Sequence, residues 1–279
     1  MNLPRVSIGI PVYNGGKFLK RVLTSIIYQS HKNIEIIISN NCSTDNSLEI
    51  IKNFKNNDNR IIFHDQKEKL SMMDNFRFVL KKSNSNYFMW AACDDFRSRN
   101  FIKKNLEFLE ANSEYVASIS PTRFKNFDFN PKRMGDYNLD NASTFNRINK
   151  AINFPNANAR FYSLFRSKNL KSFKYIDNNY LGDDFAYIIH MVMQGKFNRI
   201  KEEKLILSKT GISNQKNIYS RYRKNFFDFC FPFYKLTKNS IFLTNKLHLK
   251  IIIFLKTILF NYHANILRLK WLILSLVKK

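Results

Sequence analysis

Apolar runs and amphipathic stretches take turns along the first third of the chain, the pattern expected when strands and helices alternate in a parallel sheet. Residues 6–12, apolar but for Ser7, form a run of strand length. After Asn14, Gly15 and Gly16, the residues Leu19, Val22, Leu23, Ile26 and Ile27 recur at helical spacing, which lays one apolar stripe against that strand. Residues 34–38 read as a second strand, buried on both faces. Ser43 can cap a helix carrying Leu48, Ile51 and Phe54, and residues 61–63 supply a third strand. A further helix centres on Phe76, Val79 and Leu80, and residues 87–92 make the fourth strand. The fold class is therefore α/β, a mostly parallel sheet flanked by helices, whose ligands lie beyond the carboxyl ends of the strands. Three polar clusters fall at such ends: Tyr13-Asn14, Asn40-Asn41 and Asp94-Asp95.

From about 121 to 158 no period is sustained, and order returns with residues 161–165, a helical stretch at 183–194 and a short apolar run at 205–207. The last quarter differs in kind. Residues 205–279 hold 14 Lys or Arg against a single acid, Asp228, so +13 of the formal +25 charge sits there. Apolar blocks at 251–254, 258–260 and 272–277 are separated by Lys250, Lys256, Arg268 and Lys270. This basic amphipathic pattern fits helices lying in an anionic membrane interface. It fits equally a pair of core helices with solvated lysines on the outer face.

At 279 residues and 44% hydrophobic content the chain can bury one or two cores. No stretch reaches the roughly 18 consecutive apolar residues of a spanning helix. Cys42, Cys93 and Cys230 are odd in number and widely spaced, which encodes neither a disulfide framework nor a zinc knuckle and suits a reducing compartment. The start of the chain lacks the basic, apolar and small-residue sections of a secretory signal, so the expected location is cytoplasmic.

Asp94 and Asp95 follow a hydrophobic strand directly, where two carboxylates can approach one hard divalent cation such as Mg²⁺ or Mn²⁺. Taken alone, such a pair is more often a turn or a helix cap than a metal site. A second pair, Asp183-Asp184, follows Gly182 and opens the stretch Phe185, Ile188, Ile189 and Val192. It can supply a general base for a hydroxyl nucleophile, or merely cap that helix. His31, His64, His190, His248 and His263 make no H-x-x-x-H or H-E-x-x-H pair, and no G-x-S-x-G, G-x-x-x-x-G-K-[ST] or G-x-G-x-x-G motif occurs.

The order of these motifs resembles the inverting family-2 glycosyltransferases of GT-A type. Pro11-Val12-Tyr13-Asn14 closes the first strand, the segment from Asn40 to Asp45 closes the second, and the aspartates follow the fourth. The likeness spans residues 6–109 and, more loosely, 161–213. It implies that Pro11, Tyr13, Asn14, Asn40 and Asn41 face a nucleotide-diphosphate sugar, with Tyr13 against the base. Asn40 stands where the family has an Asp that reads a uracil edge; an amide can accept from a ring N–H but is neutral and also donates. Cys93 replaces the first acid of a D-x-D motif, which leaves Asp94 toward the ribose or diphosphate and Asp95 as the direct metal ligand. Asp183 takes the Glu place of a Glu-Asp motif and Asp184 that of the base. Lys209 becomes a phosphate partner in the closing segment, although a solvated surface charge is the simpler account of it.

The resemblance implies a metal-dependent, inverting hexosyltransferase, using a UDP-linked or similar donor and a hydroxyl of a polysaccharide or polyprenyl-linked glycan, in capsule or lipopolysaccharide assembly. Residues 1–213 would be the catalytic domain, with 1–112 holding the donor and 113–213 the acceptor. Residues 214–279 would form a basic helical region bound to the inner face of the cell membrane. Two other classes share some of these features. A nucleic-acid-binding protein would use the +25 charge, but no nucleic-acid motif accompanies it. A sugar nucleotidyltransferase would share the metal carboxylates but wants more glycine after its first strand than Gly15-Gly16.

Overall fold

Val6–Val12 and Ile34–Asn40 are buried at every residue, as runs covered on both faces must be, and they pair in parallel within the main sheet. The computed structural model describes residues 3–124, 135–152, 158–177, 179–208, 222–223 and 225–277. In chain order the first half runs β1 (Val6–Val12), α1 (Gly16–Ile27), β2 (Ile34–Asn40), α2 (Ser47–Asn57), β3 (Ile61–Asp65), α3 (Met72–Lys82), β4 (Tyr87–Trp90), β5 (Phe96–Arg97), α4 (Phe101–Ala111) and β6 (Tyr115–Ile119). It continues with β7 (Thr122–Phe124), α5 (Thr144–Ala151), β8 (Leu164–Arg166), α6 (Ser167–Lys171), α7 (Asp183–Gln194), β9 (Lys196–Arg199) and β10 (Leu205–Leu207). Three helices follow: α8 (Phe226–Cys230), α9 (Tyr234–Phe242) and α10 (Leu247–Val277).

The main sheet has seven strands in the order β3-β2-β1-β4-β8-β6-β9. All neighbours are parallel except β8, which is antiparallel to both β4 and β6. A smaller sheet, β5-β10-β7, sets β10 antiparallel to β5, pairing Leu205 with Arg97.

Alternate strand residues feed two cores. Ile8, Ile36 and Met89 join Leu23, Ile51 and Leu106 from α1, α2 and α4, while Ile37, Phe88 and Trp90 join Val79, Ile148 and Tyr187 from α3, α5 and α7. Burying each such aliphatic or aromatic side chain contributes about 1.5–3 kcal/mol. Gly9 permits the close approach of α3 to β1, because a Cβ there would stand 2.6 Å from Val79 Cγ2.

The structure moves several expected boundaries. Ser43 does not cap α2; the helix starts at Ser47, and Ser43 Oγ instead accepts the Asn14 N–H at 3.0 Å. The fourth strand stops at Trp90, so that Ala91 and Ala92 already belong to the turn carrying the aspartates. The irregular stretch contains α5, whose short stripe of Ile148 and Ala151 was too brief to establish a period. On its inner side α10 sends Leu249, Ile253, Phe260 and Ala264 into the core, as the core-helix reading of the tail expects. Among the described residues no helix is long and apolar enough to cross a membrane.

Candidate active site

Two turns at the carboxyl ends of β1 and β2 are laced together. The Asn14 side-chain oxygen accepts the Thr44 N–H at 2.8 Å, and Gly15 N–H donates to Ser47 Oγ and Gly16 N–H to Asp45 Oδ2, each at 2.9 Å. Burial alone would raise the Asp45 carboxyl, but hydrogen bonds from Ser47 and Gly16 outweigh it and hold the group below its ordinary range. Pro11 is buried in β1 opposite Ser39. Tyr13, 41% exposed just beyond it, presents its ring to solvent with Lys69 Nζ 3.9 Å from the ring centroid.

Asn40 and Asn41 are both buried. The Asn40 amide donates to Asp65 Oδ1 at 2.7 Å across the β2–β3 pair. Asn41 clamps the backbone of Leu70, donating to its carbonyl at 3.0 Å and accepting its N–H at 2.7 Å. Its amide is therefore engaged in holding the loop before α3 beside β2.

Asp95 lies at the end of the turn after β4, only 3% exposed, where its Oδ1 accepts the Ser208 N–H at 3.1 Å. Burial, and next the neighbouring Asp94, push its carboxyl up to about 7, against the pull of Arg97. Arg97 is itself fully buried beneath this turn and donates to the Trp90 carbonyl at 2.7 Å. Cys93 packs its sulfur against Gly15, and burial followed by the two aspartates pushes its thiol up to about 12, so it is a packing residue rather than a reactive thiolate. Ser208 brings the strand β10 to the aspartates; Lys209, the next residue, lies outside the described residues.

Asp183 and Asp184 open α7 after Gly182, whose φ of 84° lies in the left-handed region that favours glycine. Asp183 is 1% exposed, and both its oxygens accept from the one Nη2 of Arg77 on α3, at 2.7 and 2.6 Å, while Arg77 Nη1 donates to Asp74 at 3.0 Å. Burial raises its carboxyl to about 6, and the guanidinium limits the rise. Asp184 receives the Asn158 side-chain N–H at 2.9 Å, and burial raises its carboxyl above the ordinary value. A carboxylate so raised is a better proton acceptor than one in water.

Tyr162 feels carboxylates from both acidic pairs. Phe161 stacks on Trp90, the last residue of β4, with centroids 4.3 Å apart and planes 10° apart, which carries the adjacent Tyr162 to the aspartate turn. The Tyr162 hydroxyl is raised well above its usual value by burial and then by Asp95, Asp94 and Asp184, so all three carboxylates act on one phenol. A cavity of about 480 Å³ lies elsewhere, between α3 and α6–α7, lined by Arg77, Phe173, Tyr175 and Tyr187 but by none of these three acids.

Sequence reasoning missed Tyr162, Asn158, Arg77 and Arg97. Arg97 sits two residues beyond Asp95 and could have been suspected. Nothing in the sequence pairs Arg77 with an acid 106 residues away. For a metal, the described residues hold no cluster of three or more His, Cys, Asp or Glu. Asp94 and Asp95 nonetheless suit a hard cation that takes one or two carboxylates and completes its shell with water and a diphosphate. The charge of Asp94 beside the buried Asp95 is what a cation there would offset.

Comparisons with known proteins give the family and the fold. The sequence profile described as "Glycosyl transferase family 2" matches residues 7–179. Glycosyltransferase GlyA of Streptococcus pneumoniae is 27% identical over 172 residues, 62% of this chain and 23% of that protein. An uncharacterized glycosyltransferase of Haemophilus influenzae is 33% identical over 112 residues, 40% of this chain and 45% of its own. The chain thus spans less than half the length of these curated relatives. Among solved structures, TarS residues 1–349 of S. aureus in complex with UDP-GlcNAc superposes with a TM-score of 0.70 at 15% identity, covering 91% of this chain and 72% of that one. The mannosyltransferase PcManGT of Pyrobaculum calidifontis, in complex with GDP-Man and Mn²⁺, gives 0.62 at 15% identity over 90% of this chain and 68% of its own. At such identity these two establish a shared fold, here the GT-A type. The matched profile covers more than half of the residues, and the chain belongs to glycosyltransferase family 2.

Proposed function

We propose that the protein transfers a hexose from a nucleotide-diphosphate sugar, UDP-linked by preference, to a hydroxyl of a polysaccharide or polyprenyl-linked glycan, with inversion at the anomeric carbon. What supports this is the family-2 match over residues 7–179 together with the buried Asp95 and Asp184, both of which act electrostatically on Tyr162. In this reading Tyr13 covers the base, Pro11 and Asn14 shape the turn beneath it, and Asn40 offers its carbonyl to a ring N–H. Asn41 acts through the Leu70 loop that it clamps. Asp94 faces the ribose or diphosphate and Lys209 a phosphate. A divalent cation held by Asp95, with Asp94 beside it, would supply positive charge at the departing diphosphate.

Asp184 removes the acceptor proton as the hydroxyl oxygen attacks from the face opposite the leaving group. Asn158 orients that carboxylate, and Arg77 holds Asp183 so that the start of α7 keeps its geometry. Residues 1–213 form the catalytic unit, divided near 112 between donor and acceptor halves. The basic region 214–279 places the enzyme on the inner face of the cell membrane, near a lipid-linked acceptor of capsule or lipopolysaccharide assembly. The S. aureus and P. calidifontis structures, with UDP-GlcNAc and with GDP-Man and Mn²⁺, support the donor and metal parts of this reading.

The test is release of nucleoside diphosphate from a panel of nucleotide sugars, with and without Mn²⁺. Asp184→Asn should lower the rate about 10²–10⁴-fold. Transfer by Asp184→Asn at the parent rate removes the base assignment, and release of pyrophosphate instead of a nucleoside diphosphate removes the transferase.

A further inference from the structure

Helix α10 is apolar on two opposite faces, and only one of them is covered. Leu249, Ile253, Phe260 and Ala264 enter the core, where Phe260 lies edge-on to Phe185, the residue after Asp184, at 5.5 Å. On the other side Ile251, Leu255, Ile258, Tyr262, Ile266 and Leu269 all face solvent, each at least 43% exposed. At 3.6 residues per turn these six span roughly 80°, and the exposed Phe254 and Leu259 on either side widen the apolar arc to roughly 140°. Lys250 and Arg268 border the arc on one edge, Lys256 and Lys270 on the other. The short helix α8 extends the surface with Phe226, 79% exposed, and is tied to α10 by the Asn265 amide donating to the Cys230 carbonyl at 2.9 Å.

An exposed apolar surface of this size needs an occupant. A second copy of the helix is disfavoured by charge: no Asp or Glu occurs after Asp228, so self-pairing in either direction sets cations against cations. A bilayer with anionic headgroups matches both features, since its acyl boundary takes the apolar arc and its phosphates take the flanking Lys and Arg, whose stems reach along the surface. We infer that the outer face of α10, continued by α8, is a docking surface for an anionic lipid bilayer, on which the helix lies flat.

This deepens the membrane side of the proposed function by assigning the residues that make contact, and it stands apart from the transfer reaction. Because Phe260 on the inner face of α10 packs against Phe185 of α7, point substitutions on the outer face, and not removal of the helix, separate the membrane contact from the base. The experiment is co-sedimentation of the full chain with vesicles of phosphatidylcholine alone or mixed with phosphatidylglycerol. The parent should partition into the mixed vesicles, more weakly as salt rises, and Leu255→Glu/Ile258→Glu should bind at least about tenfold more weakly. That variant should keep the parent's melting temperature and its release of nucleoside diphosphate. Vesicle binding by a parent that turns over no nucleotide sugar would uphold the surface while removing the transferase. Equal binding by parent and variant overturns the inference. So does a parent that ignores vesicles but forms dimers in sedimentation equilibrium which the same substitutions dissolve.

Discussion

Replacing Arg77 with Met removes the cationic partner of a carboxylate that folding has taken almost wholly out of water. The pair's side chains are 10% and 1% exposed, and two bonds of 2.7 and 2.6 Å join them. Removing one partner from such a pair costs about 3–5 kcal/mol, because the remaining charge is buried uncompensated. The carboxyl has an escape, which is to take a proton. From the parent's value of about 6 this costs about 1.4 kcal/mol per pH unit, hence about 1.4 kcal/mol at pH 7, so protonation caps the loss below the first figure.

The sign of the pH dependence follows. Asp183 is raised on folding, so the native state binds the extra proton and stability falls as pH rises through the raised value. In the parent that value is about 6; in Arg77→Met it moves higher still, because the guanidinium that limited the rise has gone. Acidification from pH 7 to pH 5 should therefore return about 1.4 kcal/mol more to the variant than to the parent. Adding Asp183→Asn should restore most of the loss, since no buried charge remains. Urea unfolding of the parent and both variants at the two pH values measures all three quantities. A loss below about 1 kcal/mol at pH 7, or a deficit that does not shrink at pH 5, refutes this account of the pair.

Further expectations concern the two acidic turns. Asn158→Ala deletes a bond that lowers the Asp184 carboxyl, so the acid limb of kcat/KM against pH should move to higher pH; an unmoved limb would show that Asn158 does not tune the base. With Asp95 titrating at about 7, protons and Mn²⁺ compete for it, and the Mn²⁺ dissociation constant should rise about tenfold per pH unit below 7 and level off above. Titration of free Mn²⁺ by electron paramagnetic resonance reads this, and an affinity independent of pH would remove Asp95 as ligand. Gly182→Ala meets both a φ of 84° and Leu236 Cδ2 at 3.1 Å from the new Cβ, so it should destabilise by about 1–2 kcal/mol in thermal unfolding.

Local period and motif order carried much of this protein without any structure. The apolar run of β1, the stripe on α1 and the run of β2 depend on neighbours within a few residues, and they appear where the sequence puts them. The order of Tyr13-Asn14, Asn40-Asn41, Asp94-Asp95 and Asp183-Asp184 likewise pointed to the family that the comparisons establish. Ser43 shows the limit of local reasoning. A Ser before an apolar stripe satisfies the rule for a helix cap, but a stronger claim on its hydroxyl comes from Asn14, 29 residues earlier.

What only the tertiary structure decided was which groups meet across the sheet. Arg77 and Asp183 become partners because α3 and α7 lie on the same face. Tyr162 comes under the charge of Asp94, Asp95 and Asp184 because Phe161 stacks on Trp90 at the end of β4. The sequence showed α10 to be basic and apolar without saying which apolar face would be covered. Spacing along the chain fixes the direction in which a side chain leaves its helix or strand, whereas its partner depends on where a distant segment crosses, and packing against the whole core selects that crossing.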